Sequence, residues 1–167
     1  METRRRNAVF AMDTANGRSW SCPHCGRRFR HANQAHSCGV FRVEDVLAGA
    51  PPSVGLLFRA IEDRARRCGP LTLAPTKTRI GLQSGTLFGS VRLGRNGAHL
   101  ELRLPQREEH PRFTRVEEAQ PGAWTHHLVV RTLDDLTPEV DRWICAAHRW
   151  GESPDGSPPA PAPRSAA

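Results

Sequence analysis

No stretch of this chain is apolar enough to cross a bilayer. Runs such as Leu128-Val129-Val130 and Ala8 to Met12 fall far short of the roughly 20 residues a spanning helix needs. Ala8 to Met12, after Arg4-Arg5-Arg6, is also too short for the core of a signal peptide, so the expectation is a soluble, cytoplasmic protein with no membrane partner. Lysine is nearly absent: of 24 basic residues only Lys77 is lysine. That skew, together with abundant Ala, Gly and Pro, reads as a compositional bias rather than a purpose-built arginine patch. Several catalytic signatures are missing too. There is no G-x-x-x-x-G-K phosphate loop, no G-x-S-x-G elbow and no H-E-x-x-H helix. A nuclease core of Asp plus Glu-x-Lys is missing as well, because the best candidate strand reads Glu101-Leu102-Arg103. No residue is therefore assigned a catalytic role, and the reading leans away from an enzyme.

What is present fits one ordinary domain and one small module in 167 residues. Basic residues outnumber acidic ones 24 to 17, for a net charge of +7 and a pI near 10.4. Such a balance favours nucleic acid or another polyanion as partner. Met12 is an alternative start, and without residues 1–11 the charge falls from +7 to +5 through loss of three arginines and Glu2. Residues 1–17 read as a flexible basic arm and 18–40 as a Cys/His module. Residues 41–150 form a periodic region, and 151–167, with five prolines, read as a disordered Pro/Ala-rich tail.

The module carries Cys22-x-x-Cys25-Gly26, a spacing that sets two thiolates on one tight turn. Cys38 and one histidine complete a tetrahedral set, His36 being the better choice and His31 the alternative, while His24 lies inside the knuckle. A segment this short has too little apolar surface to fold without a metal. Structural zinc is the expectation, with no open position for a catalytic water. Arg18, Arg27, Arg28, Arg30 and His31, with Trp20 and Phe29, make a basic and aromatic surface suited to nucleic acid. The competing reading is that the arginines solubilise the module and the aromatics dock it.

In the long region, Phe41 to Leu47 suggests a short helix. Ser53 is the expected N-cap of a helix running to Cys68, with Gly69-Pro70 as its stop. Cys68 falls on the apolar face and reads as a packed small hydrophobe, and Cys145 lies off the main stripe of the last helix. Strands are expected at Leu71–Leu73, Arg79–Gln83, Leu87–Leu93, 99–104, Phe113–Glu117 and Trp124–Arg131, joined as a meander, with an Asn96-Gly97 hairpin turn. Thr137-Pro138 opens a helix to about Trp150. The predicted class is α+β: an antiparallel sheet of five or six strands between an N-terminal and a C-terminal helix, preceded by the zinc finger.

The finger Trp20-x-Cys22-Pro23-x-Cys25-Gly26-Arg27 with Asn33-Gln34-x-His36-Ser37-Cys38 carries a family resemblance. So do Gly69-Pro70, Lys77-Thr78-x-Ile80, Phe88-x-x-Val91, Leu100-x-Leu102-x-Leu104 and His126. Over residues 20–150 the chain resembles an uncharacterised bacterial domain-of-unknown-function family, DUF5655. The resemblance implies the fold and the finger, favours His36 over His31 because the latter position varies in that pattern, and implies no activity. Thr125 and His127 depart from the bulkier residues usual beside His126.

Two further groups are candidates. A lone lysine amid arginines hints at a need for a compact amine, and Lys77 with Arg79 could clamp an anion. His126 shares the parity of Leu128 and Val130 and so faces the core. The alternative function is a small-molecule or enzymatic pocket joining Lys77 and His126, with the finger as an appendage.

Overall fold

A computed structural model of the protein describes residues 20–26, 28–29, 32–33, 36, 38 and 41–153. The arm expected over 1–17, and the tail from 154 onward, lie outside the described residues. In the finger, β1 (Trp20–Ser21) pairs antiparallel with β2 (Arg28–Phe29), Trp20 opposite Phe29. Two helices follow, α1 (Val43–Ala48) and α2 (Pro52–Cys68). The expected N-cap of α2 was Ser53, but the helix starts at Pro52 with Pro51 as N-cap. The physical reason is that Pro51 and Pro52 have no N–H to leave unsatisfied and the Val54 amide donates to Pro51 O at 2.9 Å, so the first turn closes without a capping side chain.

Six strands come next: β3 (Thr72–Pro75), β4 (Ile80–Gln83), β5 (Leu87–Leu93), β6 (Ala98–Leu104), β7 (Arg115–Gln120) and β8 (Ala123–Val130). A short 3-10 turn, Leu133–Asp135, leads into α3 (Pro138–Glu152), with Thr137 at the N-cap position and proline first, as the sequence predicts. All strand pairs are antiparallel. The class is therefore α+β, with a six-stranded sheet and helices at both ends.

The order across the sheet is β3-β4-β5-β6-β8-β7, so the expected meander is broken once: β7 lies outside β8. The connection 105–114 explains this. It crosses the open end of the core, where the Glu108 amide donates to His126 Nε2 at 2.9 Å and Phe113 packs 4.4 Å from the Trp143 ring. A tight β6–β7 hairpin would leave His126 and Trp143 without that cover.

Leu100, Leu102 and Leu104 of β6 are buried, while His99, Glu101 and Arg103 stand on the other face half-exposed. Leu100 lies between Val91 and Leu128 in register, and Leu102 between Gly89 and His126. Phe88 has no partner on β4, because Leu82 pairs with Gly89 and Gln83 with Leu87. The bulge turns this extra residue into the core, fully buried. Phe58, Ile61 and Ala65 of α2 and Val140, Ile144 and Ala147 of α3 close the apolar face. The helices are also joined covalently by a Cys68–Cys145 disulfide with Cα atoms 5.1 Å apart. Cys68 is thus not the packed free thiol read from the helix pattern. The 3.6 period put it on the buried face, and the neighbour on that face is a second cysteine.

α3 runs to Glu152, past the expected boundary at Trp150 and into the region read as tail. Gly151 is the reason. Its carbonyl accepts from the amides of Gly85, at 3.2 Å, and Thr86, at 2.8 Å. A methyl there would drive into Ser84 Oγ and come within 2.9 Å of Phe88 Cβ.

Candidate metal centre

Cys22 and Cys25 sit at either end of a tight turn that closes when the Gly26 amide donates to Cys22 O at 2.8 Å. Gly26 holds φ 69°, the left-handed region where a side chain is disfavoured. The turn faces His36 and Cys38. Cys22 Sγ lies 3.7 Å from Cys38 Sγ, and His36 Nε2 lies 3.4 Å from Cys25 Sγ and 3.1 Å from Cys38 Sγ. All four donor atoms fall within 4.8 Å of one another. A tetrahedron with ordinary Zn–S and Zn–N bonds has edges of about 3.8 Å between sulfurs and about 3.5 Å between sulfur and nitrogen. The Cys22–Cys38 and Cys25–His36 edges match those figures and the Cys38–His36 edge is shorter, and the four residues together could hold a metal ion.

The electrostatics point the same way. Desolvation inside the cluster, then Cys22 and Cys25, push the Cys38 thiol up to about 11. Desolvation also opposes ionisation of Cys22, but the amides of Cys25 and His24 and the Cys38 thiol outweigh it and hold Cys22 below its ordinary value. Three thiols this close cannot all ionise without a cation among them.

Trp20 and Phe29 support the imidazole. Phe29 stacks 4.2 Å from the His36 ring, and Trp20 meets Phe29 at 5.8 Å and His36 at 6.0 Å. With Phe29 buried, the β1–β2 hairpin holds a small aromatic core against the ligand set, fixing the ring's orientation from behind. His24 is exposed in the knuckle, outside the ligand set. Arg28 opens β2, whereas Arg18, Arg27, Arg30 and His31 lie outside the described residues. The knuckle stands next to the sheet edge: Cys25 and Gly26 share a cleft of about 290 Å³ with Thr72 to Ala74 of β3, so the finger stands over a strand edge that is otherwise open to pairing.

Arg79 and Lys77, the expected anion clamp, are not partners. Arg79 binds Glu101 at 3.1 Å, and Lys77 stands exposed on the β3–β4 turn. Glu101 is the hub of a row that the sequence reading missed. Ser90, Glu101, His127 and Arg115 are successive register partners on β5, β6, β8 and β7. Ser90 Oγ donates to Glu101 at 2.9 Å, His127 reaches Glu117 at 3.1 Å, and Arg115 pairs with Glu117. Outward parity on β6 is the one sequence signal for this row. Its partners depend on register across four strands.

His126 is fully buried on the inner face. Its Nε2 accepts from Glu108 and its Nδ1 donates to Trp124 O at 3.3 Å, so the ring is held as the neutral Nδ1–H tautomer. His126 on β8 is three strands from β4, whose preceding turn carries Lys77. At the usual strand spacing that is about 14 Å, and the two do not meet. Burial holds the His126 pKa below its ordinary 6.5. A histidine whose folded value is depressed binds protons first in the unfolded chain, so its contribution to stability is complete above 6.5 and declines as the pH falls toward the folded value. His126→Gln should therefore flatten the loss of stability between pH 6.5 and 5 in urea melts. A slope equal to that of the unaltered chain would show that the ring is not neutral and buried.

Among the described residues no helix is long and apolar enough to cross a membrane. No curated protein and no solved structure matches the chain. The family model described as Domain of unknown function (DUF5655) matches residues 43–150, the helix–sheet–helix unit, and leaves the finger outside. That match spans about two thirds of the sequence, and the chain belongs to the DUF5655 family.

Proposed function

We propose that this is a zinc-dependent binding protein whose finger engages nucleic acid or another polyanion. The observation that carries the reading is the Cys3His donor set, four ligand atoms within 4.8 Å of one another, in a segment rich in positive charge. Residues 18–40 contain Arg18, Arg27, Arg28 and Arg30 and no acidic residue. A bound Zn2+ with three thiolates and a neutral imidazole carries one negative charge, so the loaded finger stays cationic. Cys22, Cys25, His36 and Cys38 would hold the ion, and its chemistry there is structural, because four protein donors fill a tetrahedron.

A gel shift with random DNA and RNA at two salt concentrations tests the binding. A phosphate-reading finger must lose affinity with a log–log slope of about 0.9 per neutralised duplex phosphate. Arg27→Ala with Arg28→Ala should weaken binding about equally for all sequences. Absence of binding at low salt, or indifference to that double substitution, would overturn the reading.

A further inference from the structure

At the end of the sheet that carries the β3–β4 turn, a groove of about 310 Å³ opens between α1 and the last residues of β5. Its apolar floor is Val46 and Leu93, both half-buried, and its rim carries Lys77 and Thr78 from the turn and Arg92 from β5. Lys77 and Arg92 come from separate elements and are exposed. Among the described residues neither has an ion-pair or hydrogen-bond partner. Arg79, two residues from Lys77, is by contrast taken by Glu101. The one acid on the groove, Asp45, accepts the Arg42 amide at 3.2 Å, closing the first turn of α1.

The surrounding field is positive as well. His99 lies directly opposite Arg92 on β6. Its pKa is held below the ordinary value first by burial and then by Arg92 and Arg131, with only Glu101 opposing. Two unpaired cations facing one cleft repel each other, and an anion placed between them relieves both. The guanidinium offers a planar fork to a tetrahedral oxyanion and the ammonium a compact point charge. Thr78 adds a hydroxyl, and Val46 with Leu93 offers an apolar surface to whatever the anion is attached to. The volume is at the lower end for small-molecule sites.

We infer that this groove binds the phosphoryl group of a small organic phosphate, with Lys77 and Arg92 on the phosphate and Val46 and Leu93 under the organic part. The site belongs to the helix–sheet unit and is independent of the finger. The same phosphoryl chemistry could come from a free phosphomonoester or from the 5′-phosphate end of a nucleic acid.

The test uses the full chain with adenosine 5′-monophosphate, inorganic phosphate and adenosine as probes, followed by calorimetry at low salt. A matched pair of short oligonucleotides, with and without a 5′-phosphate, separates the two sources. The phosphate-bearing probes should bind and adenosine should not. Lys77→Ala with Arg92→Ala should weaken binding by about tenfold or more, with an unchanged circular dichroism spectrum, since both side chains are exposed. Arg27→Ala with Arg28→Ala should leave this binding alone, which separates it from the finger. Binding of the mononucleotide identifies a free phosphomonoester. Binding confined to the 5′-phosphorylated oligonucleotide, and lost with Lys77 and Arg92, identifies a nucleic-acid end. Adenosine binding as well as its monophosphate, binding that survives the double substitution, or no binding of any phosphate probe would overturn the inference.

Discussion

Cys38→Ser, purified without chelator, is expected to carry almost no metal, and the unaltered chain is expected to carry one zinc. Cys38 is exposed and adds nothing to a core, so any loss reports ligation rather than packing. Its sulfur lies 3.7 Å from Cys22 and 3.1 Å from the His36 nitrogen, on two edges of the donor tetrahedron. Structural zinc supplies about 10–16 kcal/mol to modules of this kind, far more than the stacking of Trp20, Phe29 and His36 can offer. Without the ion the finger should open and become sensitive to protease, while the unfolding of the 43–150 unit moves little. Elemental analysis gives the metal content. Cobalt substitution gives the geometry, because thiolate-to-cobalt absorption appears only when sulfur is bound. A metal-free native chain, or full retention after Cys38→Ser, would remove the zinc centre. Phe29→Ala leaves all four donors in place and should weaken affinity without abolishing it.

Breaking the Cys68–Cys145 link is expected to give the largest change in the stability of the helix–sheet unit. The bond spans 77 residues of sequence and joins the end of α2 to α3 across the whole sheet sequence. Loop-closure entropy for that span sets a ceiling of about 4.5 kcal/mol, and measured values for native bridges fall at about 2–5 kcal/mol. In a domain of this size the melting temperature should fall by about 10 °C. Cys145→Ser tests it. The unaltered chain should melt lower in the presence of a phosphine reductant, and the variant should not respond. Thiol counting under denaturing conditions, after metal removal, should find three free cysteines in the native chain. Five free thiols, or the same melting temperature with and without reductant, would show that the two cysteines are unlinked.

The contrast between these two sites shows how much was legible before any tertiary structure. The four candidate ligands lie between residues 22 and 38, close enough for a turn and a short return to bring them together. Such a grouping is written in local spacing, and the structure brings the same four residues together. The resemblance further favoured His36 over His31, and the described donor set contains His36. The outward–inward alternation of residues 99–104 was equally local, as were the Gly69-Pro70 stop of α2 and the Thr137-Pro138 start of α3. Each depends on the chemistry of a few adjacent residues: a pleat of period two, a missing amide, or a backbone free of a side chain.

Other features became readable only once distant segments were set side by side. Cys68 and Cys145 have no spacing that marks them as partners. Arg79 looked like the companion of Lys77 because the two are adjacent in sequence, but strand register hands it to Glu101 and leaves Arg92 on the groove with Lys77. His126 looked available for a pocket until the 105–114 crossing placed the Glu108 amide on its ring. Gly151 read as tail composition until Ser84 and Phe88 were seen to leave it no room for a side chain. By itself the sequence determined the candidate Cys3His donor set, the fold class and which face of each element is apolar, because those follow from interactions within a few turns or a few strand residues. Tertiary structure alone decided the order of β7 and β8, the covalent link between the helices and which cations remain unpaired. Those depend on register and packing between residues tens of positions apart, where no local preference acts.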